Sequence, residues 1–136
     1  MVRRREVVTC FLEHRGRILA LKRSEKVRTH AGKWAAISGS VDLATPFEQA
    51  LMEIREETGL GLNEVRLERQ GLPLDISDDE SGVTWRVHPF LFSVADPGLI
   101  RLDWEHVESR WIDPAELGTL DTVPRLRDTW ERLSKN

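Results

Sequence analysis

The feature that most constrains this chain is a helix whose two ends are both written in the sequence. Thr45-Pro46-Phe47-Glu48 has the pattern of a capping box with proline at the first helical position, and Gly59 is the residue type that stops a helix in the left-handed conformation. Between these signals Phe47, Ala50, Leu51 and Ile54 recur at helical spacing, so one apolar stripe must face a core. Beside the stripe, Glu53, Glu56 and Glu57 are related by i, i+3 and i+4 steps and occupy one flank. They fall in the final turns, where the helix dipole is negative and each added anion costs about 0.3–1 kcal/mol. Like-charge repulsion adds to that cost, and Arg55 projects to a different flank.

Most of what this helix can pack against is strand. Val7 to Leu12 and Arg17 to Arg23 flank Glu13-His14-Arg15-Gly16 and predict a β-hairpin. Trp34 to Val41, Glu64 to Leu72, Val83 to Val94 and Ser109 to Ile112 are further strand candidates, rich in Val, Ile, Leu and aromatics. Asp75 to Glu80 predicts a solvated loop. A second helix is expected from about Pro124 to Leu133, with Leu126, Trp130 and Leu133 as its stripe and a role in core packing or a dimer contact. Strands around two helices predict an α/β fold, a mixed sheet covered by helical layers. With 136 residues, no internal repeat and no linker-like stretch, residues 1–136 are expected to form one domain with its own core.

Charge and cysteine content narrow the class. Twenty basic against 23 acidic residues, net −3, argues against wrapping an extended nucleic acid, while a small nucleotide remains an acceptable partner. The single Cys10 cannot form an internal disulfide, so a reducing compartment, the cytoplasm, is expected. Met1 to Arg5 has the basic look of a signal peptide, but the run Val7 to Leu12 is broken by Thr9 and is too short for export. Nothing approaches the roughly 18 apolar residues of a membrane span. A monomer or a homodimer is equally compatible with the sequence.

Three carboxylates on one flank admit two accounts. Glutamate is a good helix former and often lines a solvated face. Alternatively a bound cation offsets the repulsion, and oxygen ligands without Cys or His describe Mg²⁺ or Mn²⁺ rather than zinc, commonly alongside substrate phosphates.

The segment Gly39 to Leu60 resembles the Nudix box of the Nudix hydrolases, whose second half matches at Glu53, Ile54, Glu56, Glu57, Gly59 and Leu60. The likeness extends to Gly32-Lys33-Trp34, similar to a Gly-x-Trp often found before the box, and to the order of strands. Three positions depart from the pattern: Ser38 stands at the first glycine with Gly39 one place late, Ala44 at the first glutamate and Met52 at the arginine. The resemblance implies an α/β/α sandwich with a mixed sheet. It implies a Mg²⁺-dependent hydrolase, with Mn²⁺ as substitute, that cleaves the pyrophosphate linkage of a nucleotide or nucleoside diphosphate derivative. Glu53, Glu56 and Glu57 would be both catalytic residues and metal ligands, with Glu53 a possible base. A further acidic ligand is expected from Trp104 to Trp111, Glu105 first and Glu108 second. In the family the arginine orients the glutamates, so Met52 implies a Glu53 less well held. Ala44 and Met52 also allow a catalytically weakened or inactive nucleotide-binding or regulatory module, whereas Cys10 gives little support to prenyl diphosphate isomerisation.

For substrate binding the candidates are Lys22 and Arg23 at a strand end, Gly39, and Trp34 in the basic segment Val27 to Trp34. Trp34 suits core packing better than base stacking. His88, sharing a strand face with Phe90 and Phe92, reads as a partly buried histidine with a partner rather than a ligand.

Overall fold

The computed structural model describes residues 3–42, 44–79 and 82–133. Leu43 of the box-like segment and Glu80 of the acidic run lie outside the described residues, as do Met1 and Val2. The strands are β1 (Arg3–His14), β2 (Arg17–Arg23), β3 (Trp34–Ala35), β4 (Ile37–Ser40), β5 (Val65–Gln70), β6 (Leu74–Asp78), β7 (Val83–Val94) and β8 (His106–Ile112). The helices are α1 (Pro46–Thr58) and α2 (Leu126–Glu131), with two short 3₁₀ turns at Pro97–Leu99 and Pro114–Gly118.

The centre of the sheet is the parallel pairing of β1 with β7, in register from Arg3↔Val83 to Glu13↔Ser93. All other strand pairs are antiparallel: β5 and β6 flank β7, β4 pairs with Val7 to Cys10 of β1, and β2 carries β3 and β8. The hairpin between β1 and β2 turns at Arg15 and Gly16, whose φ values of +52° and +80° suit a two-residue turn matched to strand twist.

Strand alternation explains why both faces are covered. Val8, Cys10 and Leu12 of β1 join Leu19, Leu21, Phe90 and Phe92 beneath Ala50 and Ile54 of α1. Phe11, Ile18, Ala20, Leu91 and Ile112 point the other way, onto Leu126 and Leu133. Trp130 meets Phe11 edge to face at 5.2 Å, so the second helical stripe is indeed core packing. The result is an α/β/α sandwich with a mixed sheet, as the resemblance implied. No helix among the described residues is long and apolar enough to cross a membrane.

Helix α1 has the boundaries the sequence announces. The Thr45 hydroxyl accepts from the Glu48 amide at 3.2 Å, the Thr45 amide donates to Glu48 Oε1 at 3.0 Å, and Gly59 closes the helix at φ +79°. Two expectations are corrected. Leu74 to Asp78 is strand, not solvated loop: Leu74, Ile76 and Asp78 are buried on one face while Asp75 and Ser77 point to water. A two-residue alternation between carboxylates and apolar groups reads as polar when only composition is weighed. Trp34 to Val41 is two strands rather than one, β3 on β2 and β4 on β1, because the chain changes partner at Ala36.

The capping box should be worth about 1 kcal/mol. Thr45→Ala is expected to lower the urea-unfolding free energy by that amount with no change in slope; an unchanged midpoint would show that the cap does not hold the helix.

Candidate active site

The three helical glutamates reach different depths. Glu57 is buried, Glu53 is half-buried and Glu56 is exposed. This gradient follows from the 100° step, because Glu57 lies nearest the stripe of Ala50 and Ile54 that faces the sheet.

Glu53 is held from two sides. Its carboxyl lies against Cα of Gly39 on β4, where any Cβ would overlap it. Gly39 thus serves close approach rather than an unusual φ, since a Cβ there would push the Glu53 carboxyl aside. From the other side Gln49 Nε2 donates to Glu53 Oε2 at 2.7 Å, one helical turn away. The helix is pressed onto β4 and β1 at this point.

The remaining acids arrive on a segment tied down at both ends. The Arg101 amide donates to the carbonyl of Thr58 at 2.8 Å, and the Ser24 amide donates to the carbonyl of Glu105 at 2.8 Å. Between these ties Asp103, Glu105 and His106 come to lie beside the end of α1. His106 is buried, its Nδ1 3.3 Å from Asp103 Oδ1 and its Nε2 3.7 Å from Glu57 Oε1.

Electrostatics record the crowding. Burial, then the hydrogen bond with Glu53 and the charges of Glu105, Glu53 and Asp103, push Glu57 up to about 10. In the metal-free protein Glu57 is thus protonated at neutral pH and can donate to Glu53. Burial also raises Glu53, against the bonds from Glu57 and Gln49 that favour its charge. Glu105 is raised by burial and by Asp103, with Arg23 opposing. Burial lowers His106 despite Asp103, so it is neutral and supplies no cation to Glu57. Cys10, on the strand beneath, is raised well above its usual range by burial and by Glu57 and Glu53. Among the described residues Glu57 Oε2 is the one buried side-chain oxygen or nitrogen without a hydrogen-bond partner. Such an atom costs about 1–3 kcal/mol unless something satisfies it.

The donors present are carboxylate oxygens, the set that suits a hard divalent cation. Among the described residues no three acidic, histidine or cysteine side chains are already arranged around one metal-sized point. Glu57 is turned onto Glu53 and His106.

A cavity of about 250 Å³ lies beside the cluster; of the clustered acids Glu105 lines it, as does Gly39, against which Glu53 is packed. Gly39, Arg23 and Glu105 line its acidic end, and Val7, Ile76, Trp85 and Val87 its apolar walls. Arg23 is fixed by donating from Nε to the carbonyl of Thr29 at 3.1 Å. The His30–Asp78 pair, 2.8 Å apart, joins the loop before β3 to the end of β6 along another wall.

The structure thus brings together Glu53, Glu56, Glu57, Glu105, Arg23 and Gly39. It does not bring in the others. Trp34 is buried on the α2 face with the Arg110 guanidinium 4.8 Å over its ring, and it does not line the cavity. Lys22 also lies outside the lining, in register with Trp34 and Glu108. Glu108 is exposed and pairs with Arg110 at 3.6 Å, so of the two candidate acids it is Glu105 that faces the cluster. His88 has the partner expected of it, Glu6 Oε1 at 2.7 Å. Sequence reasoning missed Asp103, His106, Gln49 and Trp85. Gln49 stands four residues before Glu53 and was open to the same helical count; the others depend on contacts between distant segments.

Comparison with known proteins agrees with this geometry. The family profile described as NUDIX domain matches residues 2–133. No curated protein matches the sequence. Among solved structures the chain is similar to a MutT NUDIX hydrolase from Burkholderia pseudomallei, at 28% identity and TM-score 0.72 over 97% of this chain and 99% of that one. It is similar to the MutT protein from Methanosarcina mazei Go1, at 28% identity and TM-score 0.69 over 96% and 93%. The dihydroneopterin triphosphate pyrophosphohydrolase of E. coli shares its fold, at 18% identity and TM-score 0.73 over 96% of each chain.

Glu57 keeps its proton to about pH 10 when folded but only to about pH 4.5 when unfolded, so in the absence of metal folding takes up a proton between those values. Stability therefore falls as pH rises through the window, by at most about 1.4 kcal/mol per pH unit. In EDTA, Glu57→Gln should be more stable than the parent by a margin that widens from pH 5 to pH 8. Parallel urea-unfolding curves across that range would remove the buried carboxyl from the account.

Proposed function

The chain belongs to the NUDIX domain family and is a Nudix-type hydrolase, and from that premise we propose that it cleaves the pyrophosphate linkage of a nucleotide or nucleoside diphosphate derivative. The observation that carries the reading is the buried, unsatisfied oxygen of Glu57 in a carboxylate cluster whose Glu105, with the adjoining Gly39, lines the cavity. Nudix enzymes use divalent metal ions. Here Glu53, Glu56, Glu57 and Glu105 would hold Mg²⁺, with Mn²⁺ as substitute. When bound, the cation neutralises charge on the pyrophosphate and makes an attacking water more acidic.

The protein's own groups supply the rest. Glu57, protonated without metal, would act as a ligand in its ionised form. Glu53, fixed against Gly39, takes the proton of the attacking water as the new bond from water oxygen to phosphorus forms and the bridging P–O bond breaks. Arg23 places fixed positive charge at the acidic end of the cavity, where the departing phosphate group carries its new charge. Beyond it, the apolar walls and Trp85 exclude water and accept one planar base. The ligand is a small molecule, and residues 1–136 act as one domain in the cytoplasm, as a monomer or homodimer.

The test is phosphate or pyrophosphate release from nucleoside triphosphates, nucleoside diphosphate sugars, dinucleoside polyphosphates and pterin triphosphates, with Mg²⁺, Mn²⁺ or EDTA. Release should require metal and fall at least a hundredfold in Glu53→Gln and in Glu57→Gln, with both variants folded. Thermal stabilisation by a nucleotide without product from any substrate would instead establish a binding module.

A second outcome concerns the cavity wall. Stacking on an aromatic ring is worth about 1–3 kcal/mol, so Trp85→Ala should raise KM roughly tenfold and leave kcat within about threefold. An unchanged KM would place the base elsewhere.

A further inference from the structure

We infer that Gln49 is the positioning residue for Glu53: its side-chain amide, one turn earlier on α1, holds the Glu53 carboxylate against Gly39 and does the orienting work for which Met52 has no donor. The inference rests on the hydrolase reading for its consequence in turnover, but not for its consequence in metal binding.

The observations are local and agree. Gln49 is 7% exposed, an unusual burial for a primary amide on a surface helix, and its Nε2 is 2.7 Å from Glu53 Oε2. The same carboxyl occupies the space that a Cβ of Gly39 on β4 would take. Glu53 is thus held between a donor and a wall, which removes the rotamer freedom a glutamate on an open helix face retains. Met52 is 49% exposed and offers no hydrogen bond. Arg55, the basic residue of the last turn, is exposed too.

An amide differs from an arginine in what it leaves behind. A guanidinium would orient Glu53 and also neutralise it, and would crowd the site with its own positive charge. The neutral amide orients the carboxylate and leaves its full charge for a cation. The helix supplies this by repetition, since positions 49, 53 and 57 succeed one another at i+4 steps along one line. Gln49 donates to Glu53, and Glu53 in turn accepts from Glu57. The line also explains how a chain with methionine at the arginine position of the box keeps an ordered carboxylate.

Two variants test this. Gln49→Met keeps the length and burial of the side chain and removes the donor. Mn²⁺ binding by calorimetry on the substrate-free protein should weaken about ten- to a hundredfold. With substrate, kcat should fall by a similar factor while the substrate KM stays within about threefold. Met52→Arg adds the missing cation on an exposed position where folding is not at risk. It should change Mn²⁺ affinity and kcat by less than about threefold, because Glu53 is already held. Unchanged Mn²⁺ affinity in a folded Gln49→Met would overturn the inference, and so would a tenfold gain from Met52→Arg. If the parent protein hydrolyses nothing yet Gln49→Met still loses Mn²⁺ affinity, the hydrolase reading fails and this one stands.

Discussion

The structure depends on a carboxyl group buried with no cationic side chain against it. Glu57 lies where α1, β1 and the segment 101–106 meet, and its surroundings are Glu53, Asp103, Glu105 and a neutral His106. Burying an isolated carboxylate is among the most costly acts available to a fold. This one meets the cost by keeping its proton, and the proton links it to Glu53. Everything around the group can be read as support for that arrangement: the capped helix that sets its depth, the β4 glycine that lets the helix approach, and the backbone ties from Arg101 and Ser24 that deliver the opposing acids.

The same arrangement gathers Glu53, Glu56, Glu57, Asp103 and Glu105 at one place. The acids are assembled from two directions, three from a single helix flank and two from a strapped segment. Their mutual repulsion is held in by the packing of both core faces. The cavity beside them has Glu105 and Arg23 in its lining together with the apolar Ile76, Trp85 and Val87.

Departures from a family pattern carry meaning only with the geometry beside them. Ser38 and Gly39 read as a slipped glycine, yet Gly39 is the position where a Cβ would displace the Glu53 carboxyl. Met52 reads as a lost orienting group, yet Glu53 accepts from Gln49 at 2.7 Å. Ala44 has no such counterpart in the structure.

Local signals in the sequence settled the local elements. Thr45 to Gly59 encodes its own helix ends because capping is decided within four residues, and Arg17 to Arg23 and Val83 to Val94 are strands to the residue, each rich in strand-forming apolar and aromatic side chains. The order Glu53, Glu56, Glu57 likewise follows from helical periodicity alone. Tertiary structure decided what depends on contact between distant segments. β6 became a strand because β7 offered it an edge, and Trp34 was withdrawn into the α2 face. Asp103 and His106 entered the site through hydrogen bonds to residues far away in the chain. Periodicity says which side chains share a flank; only packing says which of them is buried, and here it buries Glu57, half-buries Glu53 and leaves Glu56 exposed.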